Sequence, residues 1–192
     1  MAGVSRPVTA LLLTGGASSR MGTDKATLVV GGERLCDRAA RLLRAIADPV
    51  LEVGPGHTDL TRVDEGNERR GPLAAVAAGA AALPAGTPAI VLAVDMPAVN
   101  HDLLRALADH ASPASVVPVD GEGRLQTLCA RYSPAALATA GELVAAGKRA
   151  MAALLDVVDY VTVDASVWEP LAGPAPFADL DTPADLANRG EP

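Results

Sequence analysis

The stretch that decides the fold reads Val8-Thr9-Ala10-Leu11-Leu12-Leu13-Thr14-Gly15-Gly16-Ala17-Ser18-Ser19-Arg20-Met21-Gly22-Thr23-Asp24-Lys25. Val8 to Leu13 is an apolar run with the length of a buried strand. It breaks into a loop of paired glycines, serines, Arg20, Gly22 and Lys25. A strand that opens into a small, glycine-rich loop can lay backbone N–H groups along a polyphosphate. Arg20 and Lys25 would balance the charge. Two common phosphate motifs are excluded by spacing: Gly22 leads into Thr23-Asp24-Lys25 rather than Lys and Ser or Thr, and no Gly-x-Gly-x-x-Gly is present. The residues alone leave a second reading open, a strand–helix turn whose glycines only supply positive φ.

Working outward, apolar runs alternate with helical patterns. Strands are expected at Val8–Leu13, Pro49–Val53, Ala89–Val94, Ser115–Val119, Leu128–Tyr132 and Val157–Val163, with a short strand-like segment at Thr61-Arg62-Val63. Leu35, Ala39, Leu42, Leu43 and Ile46 follow helical spacing, as do Leu103, Leu104 and Leu107 after the cap candidate Asn100. The Ala-rich stretch from Leu73 to Leu83 begins with Gly71-Pro72, and proline suits a first helical turn. Thr182-Pro183-Ala184-Asp185 reads as a capped start of a last helix. The Pro/Gly-rich stretch from Trp168 to Pro176 reads as a surface loop before it. This alternation predicts a single-domain α/β fold over 1–192 with a mostly parallel sheet and helices on both faces. In such sheets ligands bind beyond the carboxyl ends of the strands. The glycine loop and Asp95, which follows Ile90-Val91-Leu92-Ala93-Val94, then share one rim.

Composition narrows the function. The chain has 192 residues, 49% hydrophobic but only 2% aromatic, so its core must be built from Ala, Val and Leu. A net charge of -7 argues against a nucleic-acid partner, which requires a basic face. It also means that any triphosphate site must be locally cationic or hold a metal. Cys36 and Cys129 match no metal or redox spacing and read as free thiols in a reducing cytosol. No leader or membrane span is expected, since the first apolar run is short and no other reaches spanning length. His57, His101 and His110 share no ligand spacing, and no Ser/His/Asp arrangement can be assigned. Asp95, at the tip of a buried strand, suits magnesium on a triphosphate, or equally the cap of the following turn. Asp64 reads by itself as a solvated loop acid, and Arg69-Arg70 as a solvated charge pair or as phosphate contacts.

Leu13-Thr14-Gly15-Gly16-Ala17-Ser18-Ser19-Arg20-Met21-Gly22-Thr23-Asp24-Lys25 resembles the signature L-x-G-G-x-S-x-R-M-G-x-D-K of the molybdenum cofactor guanylyltransferases (MobA-type), in the nucleotidyltransferase superfamily. Asp64 followed by Gly71-Pro72-Leu73-Ala74 resembles that family's Asp and G-P-L-A-G element. Val94-Asp95-Met96-Pro97 resembles its metal-binding Asp-x-Pro. Leu125-Gln126-Thr127-Leu128 with Arg131-Tyr132 resembles its Q-P-L segment, and Phe177 to Leu186 its F-x-N-x-N-T-P-x-D-L tail. Thr14, Ala75, Thr127, Asp179 and Asp181 depart from the family's usual Ala, Gly, Pro and two Asn.

The resemblance implies a Rossmann-like three-layer α/β/α sandwich of nucleotidyltransferase type. About 1–100 would bind GTP and Mg²⁺, and about 101–192 the acceptor. It implies transfer of GMP from GTP to the phosphate of molybdopterin, forming the guanine dinucleotide and pyrophosphate in the cytoplasm. Molybdoenzymes or their chaperones would receive the product. Leu13, Thr14, Gly15, Gly16 and Gly22 would line the nucleotide with Gly71. Asp64 would serve the guanosine, Lys25 and Arg20 the phosphates, and Asp95 the nucleotide and metal. Gly147-Lys148-Arg149 is a candidate for acceptor phosphate, or a basic surface turn. The alternatives are a molybdopterin cytidylyltransferase, a related small-phosphate nucleotidyltransferase, or a non-catalytic GTP-binding accessory protein.

Overall fold

The computed structural model is described over residues 7–15, 24–64 and 71–180. Its first elements are β1 (Thr9–Leu13), a 3-10 turn (Lys25–Thr27), β2 (Val29–Val30), β3 (Glu33–Arg34), α1 (Leu35–Arg44), β4 (Val50–Val53) and β5 (Thr61–Val63). They continue as α2 (Pro72–Ala82), β6 (Ala89–Ala93), α3 (His101–Asp109), β7 (Ser115–Pro118), β8 (Cys129–Tyr132) and α4 (Pro134–Ala145). The described chain closes with α5 (Ala152–Leu155), β9 (Tyr160–Val163) and α6 (Ala165–Ala172).

β1 is buried along its length, and its side chains alternate between two cores. Ala10 and Leu12 pack with Leu35, Leu43, Leu103 and Trp168 on one face. Leu11 and Leu13 pack with Leu73, Val76, Leu137 and Leu154 on the other. A strand covered on both sides must be apolar at every position, which is why the run reads unbroken. Helices α1, α3 and α6 thus cover one face, and α2, α4 and α5 the other. The expected three layers are present.

Among the described residues the main sheet has seven strands in the order β5-β4-β1-β6-β8-β7-β9. β4 and β6 flank β1 in parallel. β8 runs antiparallel between β6 and β7, while β9 returns parallel to β7. The sheet is therefore mostly parallel, with one reversed strand. The reversal matters for the site. Register pairs Leu92 with Cys129, and Ala93 N–H donates to the Leu128 carbonyl at 2.8 Å. The Gln126-Thr127-Leu128 segment therefore enters the sheet at the rim where β6 leaves it.

Local rules explain the helix starts. Asn100 accepts from the Leu103 amide at 3.0 Å, as its cap position predicts. Pro72 opens α2 behind Gly71. α4 begins the same way, with Ser133 accepting from the Ala136 amide at 3.2 Å and Pro134 in its first turn. The Ser133-Pro134 pair is thus a helix-start signal local to two residues. Within Val157–Val163 only Tyr160–Val163 is strand.

One expectation is corrected. The stretch from Trp168 to Pro176 is not wholly a surface loop, because α6 runs through Ala172 with Pro170 inside it. Burial of Trp168 outweighs the proline. Its ring is 2% exposed, its Nε1 donates to the Val119 carbonyl at 2.8 Å, and it meets Phe177 edge-on with centroids 5.1 Å apart. The helix start expected at Thr182 lies outside the described residues, as do Arg69, Arg70 and Asp181.

Candidate active site at the carboxyl rim of the sheet

β1, β4, β5 and β6 run parallel, so their carboxyl ends face one rim. The backbone leaving β1 is held from both sides. Leu13 C=O accepts from Val94 at 3.1 Å, and Thr14 N–H donates to the Val53 carbonyl at 3.1 Å. Gly54 packs against this exit, and a Cβ there would lie 2.5 Å from Thr14 Oγ1 and 2.6 Å from the Gly15 nitrogen. Leu13, Thr14 and Gly15 are thus fixed at the rim. Gly16, Arg20 and Gly22 lie outside the described residues.

The chain returns at Asp24 and Lys25. The Asp24 carboxylate accepts from the Ala26 amide at 3.1 Å and caps the 3-10 turn, which buried Ala26 pins to the core. Lys25 projects from that turn, and its Nζ lies 3.4 Å from Asp95 Oδ2. The two side chains are only 15% and 26% exposed, so the pair is largely shielded from water. Residues 70 apart in sequence therefore meet as expected. The turn after Asp95 is braced by Arg38 of α1, which donates to the carbonyls of Pro97 at 3.0 Å and Val99 at 3.2 Å. Leu180 N–H donates to the Asp95 carbonyl at 3.0 Å, bringing Asp179 to the same rim.

Asp64 stands just beyond β5, exposed, with Arg62 Nη2 at 3.5 Å from its carboxylate. β5 and β6 are separated by three strand spacings, about 14 Å. Asp64 and Asp95 therefore leave the sheet at strands that are not neighbours, with β4 and β1 between them. Gly71 precedes α2 with φ +84, and its amide neighbour Leu73 donates to the Arg149 carbonyl at 3.2 Å. The Gly147-Lys148-Arg149 turn is thereby attached to the start of α2, with both cations exposed.

A second polar cluster surrounds Asp120, where the Gln126-Thr127-Leu128 segment approaches the rim. Asp120 accepts from the amides of Glu122 and Arg124 and from Gln126 Nε2, the last at 2.9 Å. Burial pushes its carboxyl up, but the Arg124 amide and guanidinium outweigh this and hold it below the usual carboxylate range. Arg124 also feels the charge of Asp179, so that acid has a nearby cation. Thr127 gives its carbonyl to the Tyr132 hydroxyl at 2.8 Å.

The sequence reading missed Glu52 and His57. Glu52 is 0% exposed on β4, and His57 Nε2 lies 2.8 Å from Asp24 Oδ2. The signal for Glu52 was a lone acid inside an apolar strand. Cys36 and Cys129 are buried free thiols, and burial pushes Cys129 up to about 12. No group of three or more metal-ligating side chains occurs among the described residues. Asp95 nevertheless fits magnesium, which takes one or two carboxylates and completes its octahedron with phosphate oxygens and water.

Residues 10–163 match the MobA-like NTP transferase domain. The chain belongs to that family. A MobA-like transferase of Chloroflexus aggregans, named as a probable molybdenum cofactor guanylyltransferase, is 34% identical over 92% of this chain and 90% of its own length. A protein of the same name from Opitutus terrae is 41% identical over 73% of each chain. The structure of molybdopterin-guanine dinucleotide biosynthesis protein A from Archaeoglobus fulgidus superposes with a TM-score of 0.79 at 18% identity. It covers 94% of this chain and 96% of that one, and shows that the MobA-like fold extends past the matched domain. As a member of this family the protein is a nucleotidyltransferase. Among the described residues no helix is long and apolar enough to cross a membrane.

Proposed function

We propose that this protein transfers GMP from GTP to the terminal phosphate of molybdopterin, releasing pyrophosphate. The observation that carries the reading is the kinship, over most of the chain, with relatives named as probable molybdenum cofactor guanylyltransferases. The rim supports it: the Lys25–Asp95 pair stands beside the β1 exit, and Asp64 stands far enough away to take a nucleoside.

Phosphoryl chemistry of this kind needs alignment and charge neutralisation more than covalent help. The acceptor phosphate is ionised near neutral pH, so no general base is required. Lys25 neutralises charge on the phosphates as pyrophosphate leaves in line. Asp95 would hold Mg²⁺, and a cation there supplies Lewis-acid neutralisation of the triphosphate. Arg20 would add a second positive charge. Asp64 would accept hydrogen bonds from the guanosine. Leu13, Thr14, Gly15, Gly16, Gly22 and Gly71 would allow close backbone approach. The Arg149 turn, fixed to α2, supports a role in holding acceptor phosphate. The net charge of -7 and the free buried thiols support a cytoplasmic enzyme without a nucleic-acid partner.

The test is pyrophosphate release with Mg²⁺, molybdopterin and each nucleoside triphosphate in turn. Release with GTP alone is expected. Release with CTP alone would make the protein a cytidylyltransferase. Tight GTP binding without release would make it an accessory protein.

A further inference from the structure

Glu52 is the third residue of β4, flanked by β1 and β5 and surrounded by the apolar Val50, Leu51 and Val53. A carboxylate in such a place carries a heavy desolvation cost unless every lone pair is met. Here it is met by five donors. Oε1 accepts from the Thr14 hydroxyl at 2.7 Å and from the amides of Gly56 at 3.1 Å and His57 at 2.6 Å. Oε2 accepts from the Thr58 amide at 2.8 Å and its hydroxyl at 2.6 Å. Burial pushes the carboxyl up, but these donors outweigh it and hold Glu52 below the usual carboxylate range.

Stability alone does not require this arrangement, because an apolar residue on β4 would avoid the desolvation altogether. What the carboxylate adds is fixed geometry at the rim. The donors come from two segments distant in sequence, the end of β1 and the Gly56–Thr58 loop, and one carboxylate joins them. Thr14, which departs from the family's usual Ala, is explained by the same contact, since its hydroxyl is one of the five donors. Gly54, in between, lies so close to Thr14 and Gly15 that no side chain fits. At the far end of the loop the His57 ring meets Asp24 at 2.8 Å, and Asp24 caps the turn that carries Lys25.

We infer that Glu52 is a positioning residue for nucleotide binding: its buried carboxylate holds the Gly54–Thr58 loop against Thr14 and Gly15 and, through His57, the Asp24 cap of the turn that carries Lys25. The contacts run without a gap from Glu52 to His57, Asp24, Lys25 and Asp95. The role rests on the nucleotide reading of this rim.

Calorimetric titration of the full chain with GTP and Mg²⁺ tests it, read as dissociation constant and stoichiometry separately. Glu52→Gln keeps the size but turns an NH₂ group toward existing donors. The expected result is a dissociation constant raised about tenfold or more, with the stoichiometry kept. A residue that only stabilises the fold would lower the stoichiometry and leave the constant of the folded molecules unchanged, and that result overturns the role. Should Glu52→Gln not fold, Thr58→Val decides. It removes one donor of five and is expected to weaken binding about threefold, and an unchanged constant again overturns the role. A parent chain that binds no nucleoside triphosphate overturns the nucleotide reading and this role together. A parent that binds, with variants that bind equally, overturns the role alone.

Discussion

Lys25 Nζ and Asp95 Oδ2 lie 3.4 Å apart, an ion pair between a turn and the end of a strand that are distant in sequence. On the proposed function a triphosphate would replace that pairing, with Lys25 turning its ammonium to the ligand and Asp95 its carboxylate to a cation. Lys25→Ala leaves the fold intact, because the side chain projects from a turn secured by Asp24 and Ala26. It is expected to cost ~2–4 kcal/mol of transition-state stabilisation, or roughly a 30- to 1000-fold loss in kcat/KM. Steady-state pyrophosphate release measures this directly, and a loss below about threefold would place Lys25 outside the phosphate site. At this scale the sequence was informative wherever a residue belongs to a short spaced motif. Asp95 was legible because it follows an apolar strand, and Lys25 because it closes the glycine-rich loop that leaves another. Glu52 was not, because its five donors come from segments that only the folded sheet brings together.

At the scale of elements, caps and prolines were readable and tertiary overrides were not. Asn100 and Gly71-Pro72 marked helix starts through chemistry local to a few residues. α6 was hidden because its stability comes from Trp168 and Phe177 meeting across the core, which outweighs Pro170. The β2–β3 hairpin was hidden by its two-residue strands. The start of α2 yields a sharp expectation. Gly71 has φ +84 and ψ 172, a region open almost only to glycine, and a Cβ there would lie 2.8 Å from the Arg149 carbonyl. Gly71→Ala is therefore expected to cost ~1–3 kcal/mol, lowering the melting temperature by roughly 2–12 °C. A thermal melt within about 1 °C of the parent would show that the α2 start and the Arg149 turn can separate freely.

At the scale of the whole molecule, the strand order was the least legible feature. The alternation of strands and helices predicts a parallel sheet, but nothing local says that β8 inserts antiparallel between β6 and β7. That insertion carries Gln126 to the rim that Lys25 and Asp95 occupy, so elements from distant parts of the chain converge on one side of one sheet. A ligand bound across that rim ties β5, β1, β6 and the turns between them into a single unit, and it binds the folded chain alone. Linkage then fixes the size of the effect: at a free concentration one hundred times its dissociation constant, GTP with Mg²⁺ should add about 2.7 kcal/mol to stability. For a chain of 192 residues this is a rise in melting temperature of roughly 5–11 °C. The net charge of -7 makes a cation important to that rise, since a free triphosphate meets a molecule that repels it overall. GTP without Mg²⁺ is therefore expected to shift the melt by less than half as much, and Asp95→Ala to remove the difference between the two conditions. Equal shifts with and without Mg²⁺ in the parent chain would show that Asp95 holds no cation and that the Lys25 side of the rim binds the triphosphate unaided.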